Sequence, residues 1–275
     1  MEVIKAFSAD FIAEALRYLI FASASFLIFW VIFKKKLLHR IIQRKELVQK
    51  RMFSEFGFSM LSIAIFSIVG TGIYFGDKWG YTQLYKDPAQ YGMVYFVVSF
   101  PLALLIHDTY FYFTHRLMHH PKLFRHVHLV HHLSTNPSPW AAYSFHPFEA
   151  FIQAGIAPIL AFALPLHYSV LIFFGLYQIG YNVMGHLSIE VLPKGFTRSK
   201  LSFWHNTVTH HNMHHKYFNC NYTIYYNVWD RIMGTLHPKY DEVFDEVTNR
   251  SSTGVAENTI TTASSPAASL QHKAE

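Results

Sequence analysis

Five apolar stretches constrain this chain more than any other feature. They run roughly 11–33, 56–75, 91–106, 147–165 and 168–183, each near the ~20 residues that a helix needs to cross a hydrocarbon core of about 30 Å. Backbone buried in lipid must satisfy its own hydrogen bonds, so such stretches are expected as helices. The composition points the same way, with 51% hydrophobic, 17% aromatic and 15% charged residues in 275, against about 25% charged in an ordinary globular domain. A single cysteine, Cys220, excludes a disulfide framework. The net charge of +6 does not signal nucleic acid, because the 26 Phe and 17 Tyr lie in apolar runs rather than among basic residues. A membrane surface is the expected partner.

Charge sets the expected sidedness. Segment 34–51 holds Lys34, Lys35, Lys36, Arg40, Arg44, Lys45, Lys50 and Arg51, whereas 76–90 balances Lys78 and Lys86 against Asp77 and Asp87. The positive-inside bias makes 34–51 cytoplasmic and 76–90 external. The third stretch then returns the chain to the cytoplasm before His107. Only Leu166 and His167 separate the fourth stretch from the fifth, beside Pro165, so the two form a hairpin that re-emerges on the same side. The first stretch has no small-residue cleavage site and is expected to be retained. The expected fold is all-α, an integral membrane helical bundle with four or five crossing segments and a cytoplasmic helical cap. Its parts are 1–106 (N-terminal spans and basic loop), 107–249 (catalytic domain, hairpin at 147–183) and 250–275, a solvated Ser, Thr and Ala-rich tail.

Histidine carries the chemistry. Of 19 histidines, eight fall in 107–132 and five in 205–215. Their spacings are His115-x3-His119, His128-x2-His131-His132 and His211-x2-His214-His215. On a helix, residues three and four apart are neighbours, so each motif is expected to aim two or three imidazoles at a common point. Neutral imidazole binds iron, zinc, copper and nickel. Eight imidazoles are too many for one ion; shared between two they give four each, leaving the open positions that distinguish a catalytic metal site from a structural one. A flexible metal-sequestering tract fits poorly, because Phe, Leu, Val and Met fill the intervening positions as packing residues.

His186, just after the fifth stretch, is expected at the same face as a ninth ligand. His107, beside Asp108, is a candidate to orient a ligating imidazole. His120, His126 and His210 each adjoin a better-placed histidine and point about 100° away from it; spacing assigns no role to them, to His146 or to His205. Glu190 reads as a surface charge, with ligation as the alternative. His39, His167, His237 and His272 read as interfacial or hydrogen-bonded residues. No catalytic residue is indicated beyond the metal ligands. A haem-attachment motif, a dinucleotide-binding turn and a cysteine set for an iron–sulfur cluster are all missing from the sequence, so electrons must come from a separate protein.

These residues resemble the fatty acid hydroxylase and sterol desaturase superfamily of integral-membrane non-haem di-iron oxygenases, and within it the sterol desaturases of the lathosterol-oxidase kind. The resemblance covers roughly 100–247. It is carried by Tyr112-Phe113-Thr114-His115-Arg116-Leu117-Met118-His119-His120-Pro121, His128-Leu129-Val130-His131-His132, Phe145-His146-Pro147-Phe148-Glu149, the run His211-Asn212-Met213-His214-His215-Lys216-Tyr217-Phe218, and Trp229-Asp230-Arg231. After the hairpin, His186-Leu187-Ser188 departs from the His-Asp-Gly or His-Ser-Gly of many relatives.

The resemblance implies that His115, His119, His128, His131, His132, His211, His214 and His215, with His186, ligate two iron ions, for which zinc can substitute in purified material. It implies oxygen-dependent desaturation or hydroxylation of a sterol or another lipid. The electron donor would be cytochrome b5-like or another small redox protein, and the compartment the endoplasmic reticulum in a eukaryote or the inner membrane in a bacterium. A fatty acyl or sphingolipid hydroxylase of the same superfamily is the alternative activity. Two further alternatives are a lipid-binding relative without activity and a metal transporter, which would place its ligands in the middle of apolar spans.

Overall fold

The computed structural model describes residues 1–251. Of the stretch expected as a tail, Arg250 and Ser251 fall inside that range, and Arg250 donates to the Ile41 carbonyl at 2.7 Å. The remainder, His272 included, lies outside the described residues. Among these the secondary structure is helical, with isolated bridges at Ile41–Ile189, Tyr85–His167 and His205–Tyr226.

Three helices are long and apolar enough to cross a membrane. The first, α1 (Glu2–Ser25), runs on as a π-helical segment, Phe26–Ile32. The second is α2 (Gln49–Lys78) and the third α3 (Met93–Met118). The last exceeds the apolar run 91–106 because nothing stops it there: Thr109 and Thr114 bond back to Leu105 and Tyr110 at 2.8 Å, and the helix carries His115 in its final turn. Two short helices follow, α4 (Pro121–Val127) and α5 (Leu129–His132).

The expected hairpin is a pair of shorter helical arms. One arm is split at Gly155 into α6 (Pro147–Ala154) and α7 (Ile156–Ala163), eight residues each. The other is α8 (Tyr168–Gly185), whose 18 residues span about 27 Å at a rise of ~1.5 Å per residue. At the break, the Tyr110 hydroxyl takes the Ile152 carbonyl at 2.6 Å and lies 2.5 Å from where a Gly155 Cβ would sit. Beyond the hairpin come α9 (Val208–Tyr217), α10 (Val228–Ile232) and α11 (Tyr240–Asn249).

Because lipid tails are as apolar as leucine, packing between spans depends on small residues that let helices approach. Here α1 meets α2 and α8 at glycines: Gly70 lies against Asp10, Gly175 against Arg17 and Gly180 against Phe21. Tyr18 of α1 stacks on Tyr143 at 5.8 Å, and Phe66 of α2 meets the same ring edge-on at 5.1 Å. A second core of Leu104, Phe111, Leu160, Val170, Phe174 and Tyr225 joins α3, α7 and α8.

The two ends of the bundle differ. At one, Tyr85 N donates to the Leu166 carbonyl at 3.1 Å and His167 Nε2 lies 2.7 Å from the Lys86 carbonyl, so the near-neutral 76–90 loop covers the hairpin turn. At the other, the basic segment joins the histidine motifs: Ile42 N donates to Ser188 O at 3.1 Å, and Gln43 Nε2 donates to Thr135 O at 2.6 Å and Asn212 Oδ1 at 3.0 Å.

Candidate metal centre

Each histidine motif arrives at the basic end on its own element. His115 is in the last turn of α3 and His119 caps its C-terminus. Pro121 at the start of α4 forces a new helix, which leads through His128 into α5. His186 is the C-cap of α8. Thr207 accepts from His210 N to begin α9, and Phe218, at φ 70°, ends it.

The structure brings nine imidazoles together in two groups, His115, His119, His128, His132 and His214 in one, and His131, His186, His211 and His215 in the other. They are buried, with exposures of 9% or less. The division is therefore five and four rather than four and four. The second and third motifs are also split, because His131 and His132, like His214 and His215, are adjacent on a helix and point about 100° apart. The i, i+4 pairs His128/His132 and His211/His215 stay together.

Ring orientation defines the chemistry. Outward-facing Nδ1 atoms meet main-chain carbonyls: His115 with Tyr222 and His214 with Cys220, both at 2.7 Å, His186 with Asn182 at 2.7 Å and His131 with Ser144 at 3.3 Å. His128 Nδ1 faces the Glu149 carboxylate at 2.7 Å. A carbonyl only accepts, so the Nδ1 atoms of His115, His214, His186 and His131 carry hydrogen, and the Nε2 atoms of the nine rings converge. Those Nε2 atoms lie 2.9 Å apart for His115/His128, 3.0 Å for His132/His214, and 3.1 Å for His119/His132, His186/His211 and His211/His215. Nitrogens bound at about 2.0–2.1 Å to one cation, at angles between 90° and tetrahedral, are separated by about 2.9–3.4 Å. The donor set thus fits a pair of metal ions. Burial, followed by repulsion among the imidazoles, holds His119, His128, His131, His132, His211, His214 and His215 well below the ordinary histidine range, the neutral state a ligand needs.

Carboxylates frame the groups. Asp230 accepts from Tyr222 N at 2.8 Å, Thr223 N at 3.0 Å and Thr235 Oγ1 at 2.7 Å, and lies 3.2 Å from His210 Nε2. Burial would raise its carboxyl, but His210 and these hydroxyls hold it below the usual carboxylate range. Glu190 is not the surface charge expected from sequence. It is buried, and accepts from Thr209 N at 2.8 Å and Thr209 Oγ1 at 2.7 Å at the start of α9. Both Glu149 and Asp230 stand in the motifs quoted above, but their partners are remote in sequence and spacing did not reveal them.

The remaining histidines are elsewhere. His107 does not touch the nine; its Nδ1 lies 2.9 Å from the Tyr225 hydroxyl. His120, His146 and His167 cap helices, and His205 stacks on Trp204 at 3.8 Å. Burial pushes the Cys220 thiol up to about 12, so it is no thiolate ligand.

Next to the second group is a cavity of about 210 Å³ between α1, α2, α3 and the hairpin. Phe145 and Phe111, in its wall, lie 5.1 Å from His131 and 4.9 Å from His115.

Fold and site together define a helical membrane protein with a buried cluster of imidazoles that could bind metal. The family model described as fatty acid hydroxylase matches residues 100–235, which hold all nine histidines. Lathosterol oxidase of Rattus norvegicus is 29% identical over 231 residues, covering 80% of this chain and 75% of the relative. Delta(7)-sterol 5(6)-desaturase of Gibberella zeae is 26% identical over 258 residues, covering 93% and 75%. Lathosterol oxidase of Homo sapiens is 28% identical over 201 residues, covering 72% and 65%. No solved structure matches the chain.

Proposed function

We propose that this protein is an oxygen-dependent lipid oxidoreductase, a sterol desaturase, whose nine clustered histidines hold two iron ions. The observation that carries this reading is the convergence of nine buried Nε2 atoms with pairs only 2.9–3.1 Å apart, the separation that imidazoles sharing a cation adopt. Iron bound there supplies dioxygen-dependent removal of hydrogen from an unactivated C–H bond. The chain's own contribution is orientation and exclusion. The carbonyls of Tyr222, Cys220, Asn182 and Ser144 and the Glu149 carboxylate fix the rings, and Phe111 and Phe145 keep water from the side on which an apolar substrate lies. The relatives named as sterol desaturases support a sterol-like substrate held in the cavity beside the centre.

The basic segment 34–51 makes the histidine end cytoplasmic by the positive-inside bias. A small, acidic, cytochrome b5-like redox protein docks there, in the endoplasmic reticulum of a eukaryote or the inner membrane of a bacterium. Metal transport is disfavoured, because both histidine groups sit at one end of the bundle and, among the described residues, no comparable group lies along the spans. Lipid profiling of cells expressing wild type or His131→Ala tests the reading. Wild type should accumulate an oxidised sterol only under oxygen and the variant should not; identical sterol profiles contradict it. Accumulation of a hydroxylated acyl chain instead would assign the alternative activity.

A further inference from the structure

The cavity has a second chemical character at the end away from the histidines. Asp10, Glu14 and Arg17 all line it, although they belong to the apolar helix α1, outside the segment matched by the family model. They are spaced i, i+4 and i+7, one face of a helix, directed at α2 and α8. Ionisable groups within a span are costly and mark function when retained. The neighbouring helices are cut to fit them. A Cβ on Gly70 would clash with Asp10 Oδ2, and one on Gly175 would lie 2.5 Å from Arg17 Nη1. Arg17 pairs with Glu14, yet its Nε–H is buried without a protein acceptor.

We propose that Asp10, Glu14 and Arg17 form the binding site for the hydroxyl group of a neutral lipid alcohol. This rests on the lipid-oxidising reading above and adds the polar determinant of its substrate. The rest of the wall, including Phe66, Val69, Ile73, Leu160 and Phe174, is apolar and suits a hydrocarbon frame. A hydroxyl both accepts and donates, which answers the buried Arg17 donor and the Asp10 carboxylate together. A carboxylate or sulfate cannot donate, and it meets two acidic side chains against one basic. Arg17 abuts Gly175, eleven residues before His186 on α8, or roughly 16 Å of helix rise. The hydroxyl is therefore held away from the carbon that faces the histidines, and this end of the cavity can be altered without touching a metal ligand.

The test uses purified full-length protein in detergent and three probes with one frame: cholestanol, the hydroxyl-free cholestane, and cholestanyl sulfate. Wild type should bind cholestanol at least about tenfold more tightly than either of the others, the scale of one lost hydrogen bond to a charged group. Asp10→Asn and Arg17→Met should shrink that preference to within about threefold, and Gly175→Ala, which displaces the guanidinium, should reduce it while leaving the charges in place. Metal content equal to wild type shows that these variants are folded. His131→Ala should keep the preference. An equal affinity of wild type for all three probes, or a tenfold preference that survives in both Asp10→Asn and Arg17→Met, overturns the proposal. A preference for the alcohol in protein that holds no metal would instead sink the oxidoreductase reading and leave this site standing.

Discussion

Glu149 Oε1 lies 2.7 Å from His128 Nδ1, with the two side chains 0% and 1% exposed. Among the described residues this is the carboxyl contact made to the nine clustered histidines. A carboxylate behind an imidazole fixes its tautomer and raises its basicity as a ligand. The five-histidine group therefore has a carboxyl beside it as well as the Tyr222 and Cys220 carbonyls, and the four-histidine group has the Asn182 and Ser144 carbonyls.

From this follows a graded effect. Glu149→Leu removes the support and should weaken metal binding about 10–100-fold, whereas Glu149→Gln, which can still accept from Nδ1–H, should lose less. Metal retained after dialysis against a graded chelator series measures it. Equal retention in both variants and wild type would mean that the pair is incidental.

Asp230 acts further out. It fixes the Tyr222 and Thr223 amides, and the Tyr222 carbonyl in turn accepts from His115. Asp230→Ala leaves the buried Tyr222 and Thr223 amides without their acceptor and should cost about 1–3 kcal/mol for each, read as a lower thermal midpoint and a lost metal ion. Glu190→Gln should cost less, since an amide oxygen can still accept from Thr209. Comparable midpoints for the two variants would argue against this ranking.

The metal-free protein should lose stability as pH falls. Unfolded imidazoles titrate near 6.5, while burial holds the seven cluster histidines outside the spans well below that. Above about pH 7 both states are neutral and the contribution is flat. Below 6.5 the unfolded chain binds protons that the folded chain refuses, so stability falls. Glu190 and Glu149, which burial raises, work in the opposite sense but are two groups against seven. Thermal unfolding in chelator should show a midpoint that is steady from about pH 8 to 7 and drops toward pH 5. A midpoint that rises on acidification would contradict the burial of these rings.

Much of the centre was legible in the sequence because helix periodicity is local. His128/His132 and His211/His215 share a face by spacing alone, and His186 follows from hairpin parity. The assignment of His131 and His132 to different groups was not legible, since it depends on how α5 is rotated against α9. Glu190 read as a surface charge because the amide and hydroxyl it serves, at Thr209, are brought to it by the fold. Three helices long and apolar enough to cross a membrane lie over the first three apolar runs, but the fourth stretch is split at Gly155, beside Tyr110 of another helix. Glu14 and Arg17 lie within the apolar run 11–33, and the cavity beside them exists only once α1, α2 and α8 are packed.

Metal analysis of the purified protein, with histidine variants from each group, tests the bimetallic centre most directly. Wild type should carry two iron ions per chain, and a double change in either group, His115→Ala with His119→Ala or His211→Ala with His215→Ala, should remove one and leave the other. A folded wild type that binds no stoichiometric transition metal, or a single ion indifferent to both pairs, would contradict it.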